Sequence, residues 1–115
     1  MSSPAPILDQ DLVIIRAILN AHLPKGAAVW VFGSRAHGTL KRGADLDLAV
    51  DAGRPLTRSE SGALADAFED SDLPYPVDVV DVQAASEGFR AIIEKDRWAG
   101  VSFEIHGASP DAPMP

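Results

Sequence analysis

Cysteine is absent from this 115-residue sequence, which excludes a disulfide framework, a thiolate nucleophile and a thiolate metal site. Aromatic residues make up only 6% of the chain, and no stretch of eighteen uninterrupted apolar residues predicts a membrane span. Positive charge is also scarce, because ten Lys and Arg face seventeen Asp and Glu and leave a formal net charge of −7. Such a surface repels a polyanion, so we expect no direct binding of nucleic acid.

The composition that remains is that of an ordinary globular protein, with 46% hydrophobic and 23% charged residues. A chain of this length forms one core, so we expect a single domain over 1–115 with flexible ends at 1–6 and 107–115. The N-terminal segment lacks the charged and apolar regions of a signal peptide, which favours a cytoplasmic protein.

Hydrophobic periodicity predicts alternating helices and strands. Helices are expected where apolar residues recur at intervals of three and four, at 8–23, briefly from near Ser34, at 58–70 and at 86–97. Strands are expected at 27–32, 45–50 and 75–82, and 101–105 adds a short strand or a packed tail after Gly100 ends the last helix. Thr57 and Glu60 have the spacing of a capping box, and the aromatic residues Trp30 and Phe32 are predicted to be in the core. This order predicts an α/β sandwich with few strands.

The most informative segment is VFGSRAHGTLKRGADLDLAVD, in which Gly33 and Ser34 are followed by ten residues and then by Asp45 and Asp47. A helix that begins after Gly33 would present free backbone N–H groups and its positive dipole end, which bind phosphate. Ser34 adds a hydroxyl donor, and Arg35 either contacts phosphate or forms a surface ion pair. Strand side chains two apart point the same way, so Asp45 and Asp47 could hold a divalent metal ion.

A third acid would permit two metal ions, and the candidates are Asp78 and Asp81. They are three apart in a strand, so only one can face the Asp45 and Asp47 pair. Asp81 lies at the strand end, where it can cap a turn, so we predict Asp78 as catalytic base and metal ligand. Asp51 shares the nominal face of Asp47, but it is about 13 Å away along the strand and is predicted to head a turn.

These motifs resemble those of the minimal nucleotidyltransferases of the DNA polymerase β superfamily, whose signature is Gly-Ser, about ten residues, Asp-x-Asp and a later strand acid. The segments GSRAHG, DLDLAVD, PVDVVDV and IIEKDRWAGVSFE follow the order and spacing of that family over about residues 10–105. The resemblance implies a minimal polymerase-β-like fold, with a small mixed sheet flanked by about four helices. The family often has Arg where His37 stands and Ser where Ala44 stands, and neither departure removes a carboxylate.

Many family members are MntA-type antitoxins encoded beside a helical toxin of the HEPN ribonuclease type. The resemblance therefore implies transfer of AMP from ATP to a tyrosine of a cognate HEPN toxin, with a complex between the two proteins. It also implies that Gly33 and Ser34 bind the nucleotide, while Asp45 and Asp47 hold two Mg²⁺ ions. To the nucleotide-binding residues we add Arg35 from its place in the motif. Asp78 would complete the metal site and help to activate the tyrosine hydroxyl.

Two other functions remain compatible with the sequence. The chain could neutralise a toxin by steric occlusion alone, although such a protein need not retain all three acids. It could instead transfer a nucleotide to a small molecule such as an aminoglycoside, and the short chain argues against this unless a dimer completes the pocket.

Overall fold

The computed structural model describes residues 7–33 and 45–105. Three α-helices, four β-strands and one 3-10 turn occur there in chain order: α1 (Asp9–His22), β1 (Ala28–Phe32), β2 (Leu46–Asp51), α2 (Arg58–Glu69), β3 (Val77–Asp81), the 3-10 turn (Val82–Ala84), α3 (Glu87–Lys95) and β4 (Arg97–Glu104). None of these helices has the length and apolar character needed to cross a membrane. The predicted helix from Ser34 and the predicted flexible ends, 1–6 and 107–115, lie outside the described residues.

The strands form one mixed sheet in the order β3-β2-β1-β4. Strand β1 is antiparallel to both β2 and β4, whereas β2 is parallel to β3. The parallel pair requires a crossover connection, which α2 supplies. The small mixed sheet with flanking helices that the sequence predicts is therefore confirmed.

Helices α1 and α2 cover one face of the sheet. Side chains that alternate along β1 and β2 point towards these helices, because successive strand residues face opposite sides. The buried residues of this layer include Ile15, Leu19, Val29, Val31, Leu46, Leu48, Val50, Leu64, Phe68 and Phe103. This is the larger of the two hydrophobic clusters among the described residues. The intervening strand residues point to the opposite face of the sheet.

The opposite face carries a smaller cluster against α3. It contains Trp30 and Phe32 of β1, which are 4% and 7% exposed, together with Ala49, Val82 and Ile93. The predicted core positions of both aromatic residues are confirmed. Helix α3 covers part of this face.

The last helix and the last strand differ from the elements predicted near the C-terminus. Helix α3 ends at Lys95 rather than near Arg97, and Gly100 lies inside β4 instead of ending a helix. Strand β4 begins at Arg97 because that residue already pairs with Phe32 of β1, four residues before the predicted strand at 101–105. Pairing with a distant strand overrides the local helical pattern here.

Helix α2 begins with the predicted capping box. The Thr57 hydroxyl accepts a hydrogen bond from the Glu60 backbone N–H at 3.0 Å, and the Glu60 carboxylate accepts one from the Thr57 N–H at 2.8 Å. We expect Thr57→Ala to lower the free energy of unfolding by about 1 kcal/mol, because a helix-terminal N–H loses its partner. Urea denaturation measures this free energy of unfolding. Ser59→Ala, at an exposed position of the same turn, should change it by less than about 0.5 kcal/mol, and equal effects of the two would show that the cap is not stabilising.

Candidate active site

Two acids lie side by side where β1 ends and where β2 and β3 begin. Asp47 of β2 pairs in register with Asp78 of β3, and on its other side it pairs with Phe32 of β1. Directly opposed residues of neighbouring strands face the same side of a sheet. Asp47 and Asp78 therefore share the face that α3 partly covers, and they lie at the strand ends next to Gly33.

The structure brings Asp45 to the same place. Partial burial of Asp47 raises the pKa of its carboxyl above the usual 3.8, and the carboxylates of Asp78 and then Asp45 raise this pKa further. Asp47 is thus close enough to Asp45 and Asp78 for its carboxylate to be repelled by theirs. A bound cation would relieve this repulsion.

The donor set suits magnesium with substrate phosphates better than an all-protein metal cage. In the described part of the chain, no group of three or more His, Cys, Asp or Glu side chains could by itself hold a metal ion. Mg²⁺ usually takes only one or two protein carboxylates and completes its octahedron with water and phosphate oxygens. Asp45 and Asp47 fit this requirement, and their repulsion favours an ion between them.

Gly33 makes room for the carboxylate of Asp47. Its backbone has φ +85°, a conformation that side-chain-bearing residues rarely adopt, and an added Cβ would lie 2.5 Å from Asp47 Oδ2. The sequence placed Gly33 before a helix start that binds phosphate, and the structure adds that the absence of a Cβ here leaves space for an acid. Ser34, Arg35, His37 and Ala44 lie outside the described residues.

Two other acids have structural partners. Asp81 accepts hydrogen bonds from the backbone N–H of Leu56 at 2.7 Å and of Gln83 at 3.1 Å, so its predicted capping role is confirmed. Asp51 accepts hydrogen bonds from the Gln83 side-chain amide at 2.9 Å and from the Gly53 N–H at 3.0 Å. These two bonds lower the pKa of Asp51, which heads a turn as predicted.

Two contacts of the β1 aromatic residues beside the acids were not predicted from the sequence. The ring of Phe89, in α3, meets the ring of Phe32 edge-on at 6.4 Å between centroids. The guanidinium of Arg97, which pairs with Phe32 across β1 and β4, lies 4.5 Å from the centroid of the Trp30 ring. No local signal indicates either contact, because each joins segments that are distant in the chain.

Comparison with known proteins supports the geometry. A family model described as polymerase beta, nucleotidyltransferase, matches residues 14–97. Probable protein adenylyltransferase MntA of Haemophilus influenzae is 43% identical over 89 residues, which are 77% of this chain and 77% of that protein. Protein adenylyltransferase MntA of Shewanella oneidensis is 36% identical over 69 residues, which are 60% of this chain and 49% of that protein.

Two solved structures that are similar to this chain are of toxin–antitoxin proteins. A crystal structure of a toxin-antitoxin with AMP-PNP has a TM-score of 0.65 and 28% identity, over 90% of this chain and 77% of that chain. A mutant of the toxin-antitoxin MntA-HpeT has a TM-score of 0.62 and 26% identity, over 78% of this chain and 70% of that chain. Gly33, Asp45, Asp47 and Asp78 all lie in the part of the sequence that the family model matches, so this chain belongs to the polymerase beta nucleotidyltransferase family, in its MntA-type branch.

Proposed function

We propose that this chain is a Mg²⁺-dependent protein adenylyltransferase that transfers AMP from ATP to a tyrosine of a cognate HEPN-type toxin and so acts as its antitoxin. The observation that carries the proposal is the convergence of Asp45, Asp47 and Asp78 beside Gly33 at one edge of the sheet. The names of the two MntA relatives support a protein acceptor. The toxin-antitoxin structure with AMP-PNP supports ATP as substrate and a toxin as partner.

In the proposed site, Gly33, Ser34 and Arg35 bind the triphosphate, while Asp45, Asp47 and Asp78 are the ligands of two Mg²⁺ ions. Magnesium supplies activation of the acceptor oxygen and stabilisation of charge on the leaving group. The tyrosine oxygen attacks the α-phosphorus of ATP, a new oxygen–phosphorus bond forms, and the bond from the α-phosphorus to the bridging oxygen breaks. Pyrophosphate leaves with that electron pair, and Asp78 takes the hydroxyl proton.

The closeness of the acids favours the binding of a cation among them. The raised pKa of Asp47 reflects burial and two neighbouring negative charges, and a positive ion among these groups reverses the electrostatic cause of the shift. A protein that only occluded its toxin would gain nothing from this repulsion. The proposed unit is a single domain over 1–115, and the proposed site of action is the cytoplasm, where ATP is found.

The test is transfer of labelled AMP from ATP to the product of the neighbouring gene in the presence of Mg²⁺, with the modified residue located by mass spectrometry. We expect label on a tyrosine of the partner. Asp78→Asn should slow transfer by about a hundredfold or more and leave ATP binding in place, because a positioned base is lost. Asp66→Asn, an exposed acid of α2, removes the same charge and should have no effect.

Three results would contradict parts of the proposed function. If the wild-type chain neutralises the toxin without transferring AMP, the protein acts by binding alone. If label reaches a small molecule such as an aminoglycoside and never the partner, the acceptor is not a protein. If Asp78→Asn transfers AMP at the wild-type rate, Asp78 is not the base.

A further inference from the structure

One side of α3 is fixed to the sheet and to the end of β3. The Ile93 side chain is 1% exposed and packs into the smaller cluster. The Arg90 guanidinium donates hydrogen bonds to the carbonyl oxygens of Val82 at 2.9 Å and Gln83 at 3.1 Å. Both carbonyls follow the carboxyl end of β3, so the Arg90 side of the helix faces away from the acids, which lie at the amino ends of β2 and β3.

The side of α3 that carries Phe89 contacts Phe32, the strand partner of Asp47. Helical residues advance by about 100° each, so Ile92 lies about 200° from Arg90, on the opposite flank. Phe89 lies between Ile92 and the buried Ile93, and its ring contacts Phe32, which pairs directly with Asp47. We call Phe89 and Ile92 the α3 flank.

The α3 flank is apolar and open. Phe89 is 38% exposed and Ile92 is 51% exposed. Leu8 and Val13 are also large apolar side chains that are exposed, but they lie in or beside α1 on the opposite face of the sheet. Phe89 and Ile92 are three apart and so are neighbours on the helix surface. Contiguous exposed apolar side chains of this kind mark surfaces that another molecule covers.

We propose that the α3 flank is the docking surface for the acceptor protein, and that it contacts apolar side chains around the tyrosine to be modified. This inference rests on the proposed function, because the tyrosine oxygen must reach Asp47 and Asp78. The segment that carries the tyrosine must then lie over the adjoining surface, which the Phe32–Phe89 contact joins to the Asp47 position.

The nucleotide is a poorer occupant of this flank than a protein. Ile92, the more exposed of the two residues, has no aromatic face on which adenine could stack. An aliphatic side chain beside a partly exposed aromatic ring instead matches the apolar centre of a protein interface.

The test substitutes Ile92→Ser and measures the affinity for the partner toxin by calorimetry without nucleotide, and then the steady-state kinetics of AMP transfer. We expect about tenfold weaker toxin binding and a similar rise in KM for the toxin, because an apolar contact is lost. The kcat and the KM for ATP should stay at wild-type values. Ile92→Met, which keeps an apolar side chain, should restore most of the affinity.

Val13→Ser is the matched control, since Val13 is 64% exposed on α1 and far from the acids, and it should leave toxin binding unchanged. Unchanged toxin affinity in Ile92→Ser would overturn the inference. A raised KM for ATP with unchanged toxin binding would overturn it too, and would assign the flank to the nucleotide. If the wild-type chain binds the toxin but transfers no AMP, the proposed function fails, and the binding measurement on Ile92→Ser still decides the docking surface.

Discussion

Asp47→Asn is expected to lower kcat/KM for AMP transfer by about a thousandfold or more, because a carboxylate ligand contributes several kcal/mol of transition-state stabilisation through its metal ion. The folded protein should not lose stability. Asp47 is partly buried beside two other carboxylates, and its neutral replacement removes their repulsion. Transfer of labelled AMP and thermal unfolding, both without and with Mg²⁺, measure the two effects.

The pH dependence of stability follows from the raised pKa of Asp47. A carboxyl group with a higher pKa in the folded state than in the unfolded state binds its proton more tightly when folded. Its contribution to stability is therefore fully present below the usual value of 3.8 and is lost as the pH rises through the folded-state pKa. We expect Asp47→Asn to be at least as stable as the wild type at neutral pH without metal, and the difference to shrink in acid.

Asp51→Asn is the matched control, on the same strand and the same nominal face. The hydrogen bonds from Gln83 and Gly53 lower the pKa of Asp51, so its carboxylate stabilises the fold above the unfolded-state pKa, and this stability is lost as the pH falls through the folded-state pKa. The control should lose stability at neutral pH and keep AMP transfer. If Asp47→Asn kept its activity, or if both variants lost activity equally, Asp47 would not be a metal ligand.

Gly33→Ala is expected to reduce AMP transfer by about a hundredfold, since even a small displacement of a reacting group is costly. The new Cβ would lie 2.5 Å from Asp47 Oδ2, so the carboxylate or the backbone must shift. The positive φ adds about 1–2 kcal/mol of backbone strain. Activity assays measure the effect of displacing the Asp47 carboxylate, and urea denaturation measures the effect of the backbone strain on stability.

Gly26→Ala provides the control that isolates the strain. Gly26 has φ +89°, close to the +85° of Gly33, but a Cβ added there meets no atom within 4 Å. It should lose similar stability and keep its activity. Equal activity of the two variants would show that the contact between Gly33 and Asp47 does not position the acid.

The sequence predicted the elements whose signals are local. Helix α2 was predicted at 58–70 and forms at Arg58–Glu69, because the capping box and the apolar spacing both lie within the segment itself. The nearness of Asp45 to Asp47 was also predictable from their spacing, although β2 begins at Leu46, so Asp45 precedes the strand. The end of α3 was predicted wrongly, since pairing of Arg97 with Phe32 decides where β4 begins.

The sequence by itself determined the chemistry available to this protein: a glycine turn, a pair of carboxylates two residues apart, a third acid in a later strand and no cysteine. The tertiary structure decided which of these groups meet. The parallel register of β2 and β3 places Asp78 beside Asp47, while hydrogen bonds hold Asp81 at the start of the 3-10 turn. Only the packing of α3 brings Phe89 against Phe32, the strand partner of Asp47. Strand register and helix packing depend on contacts between distant residues, whereas sequence periodicity reports only which side of its own element a residue occupies.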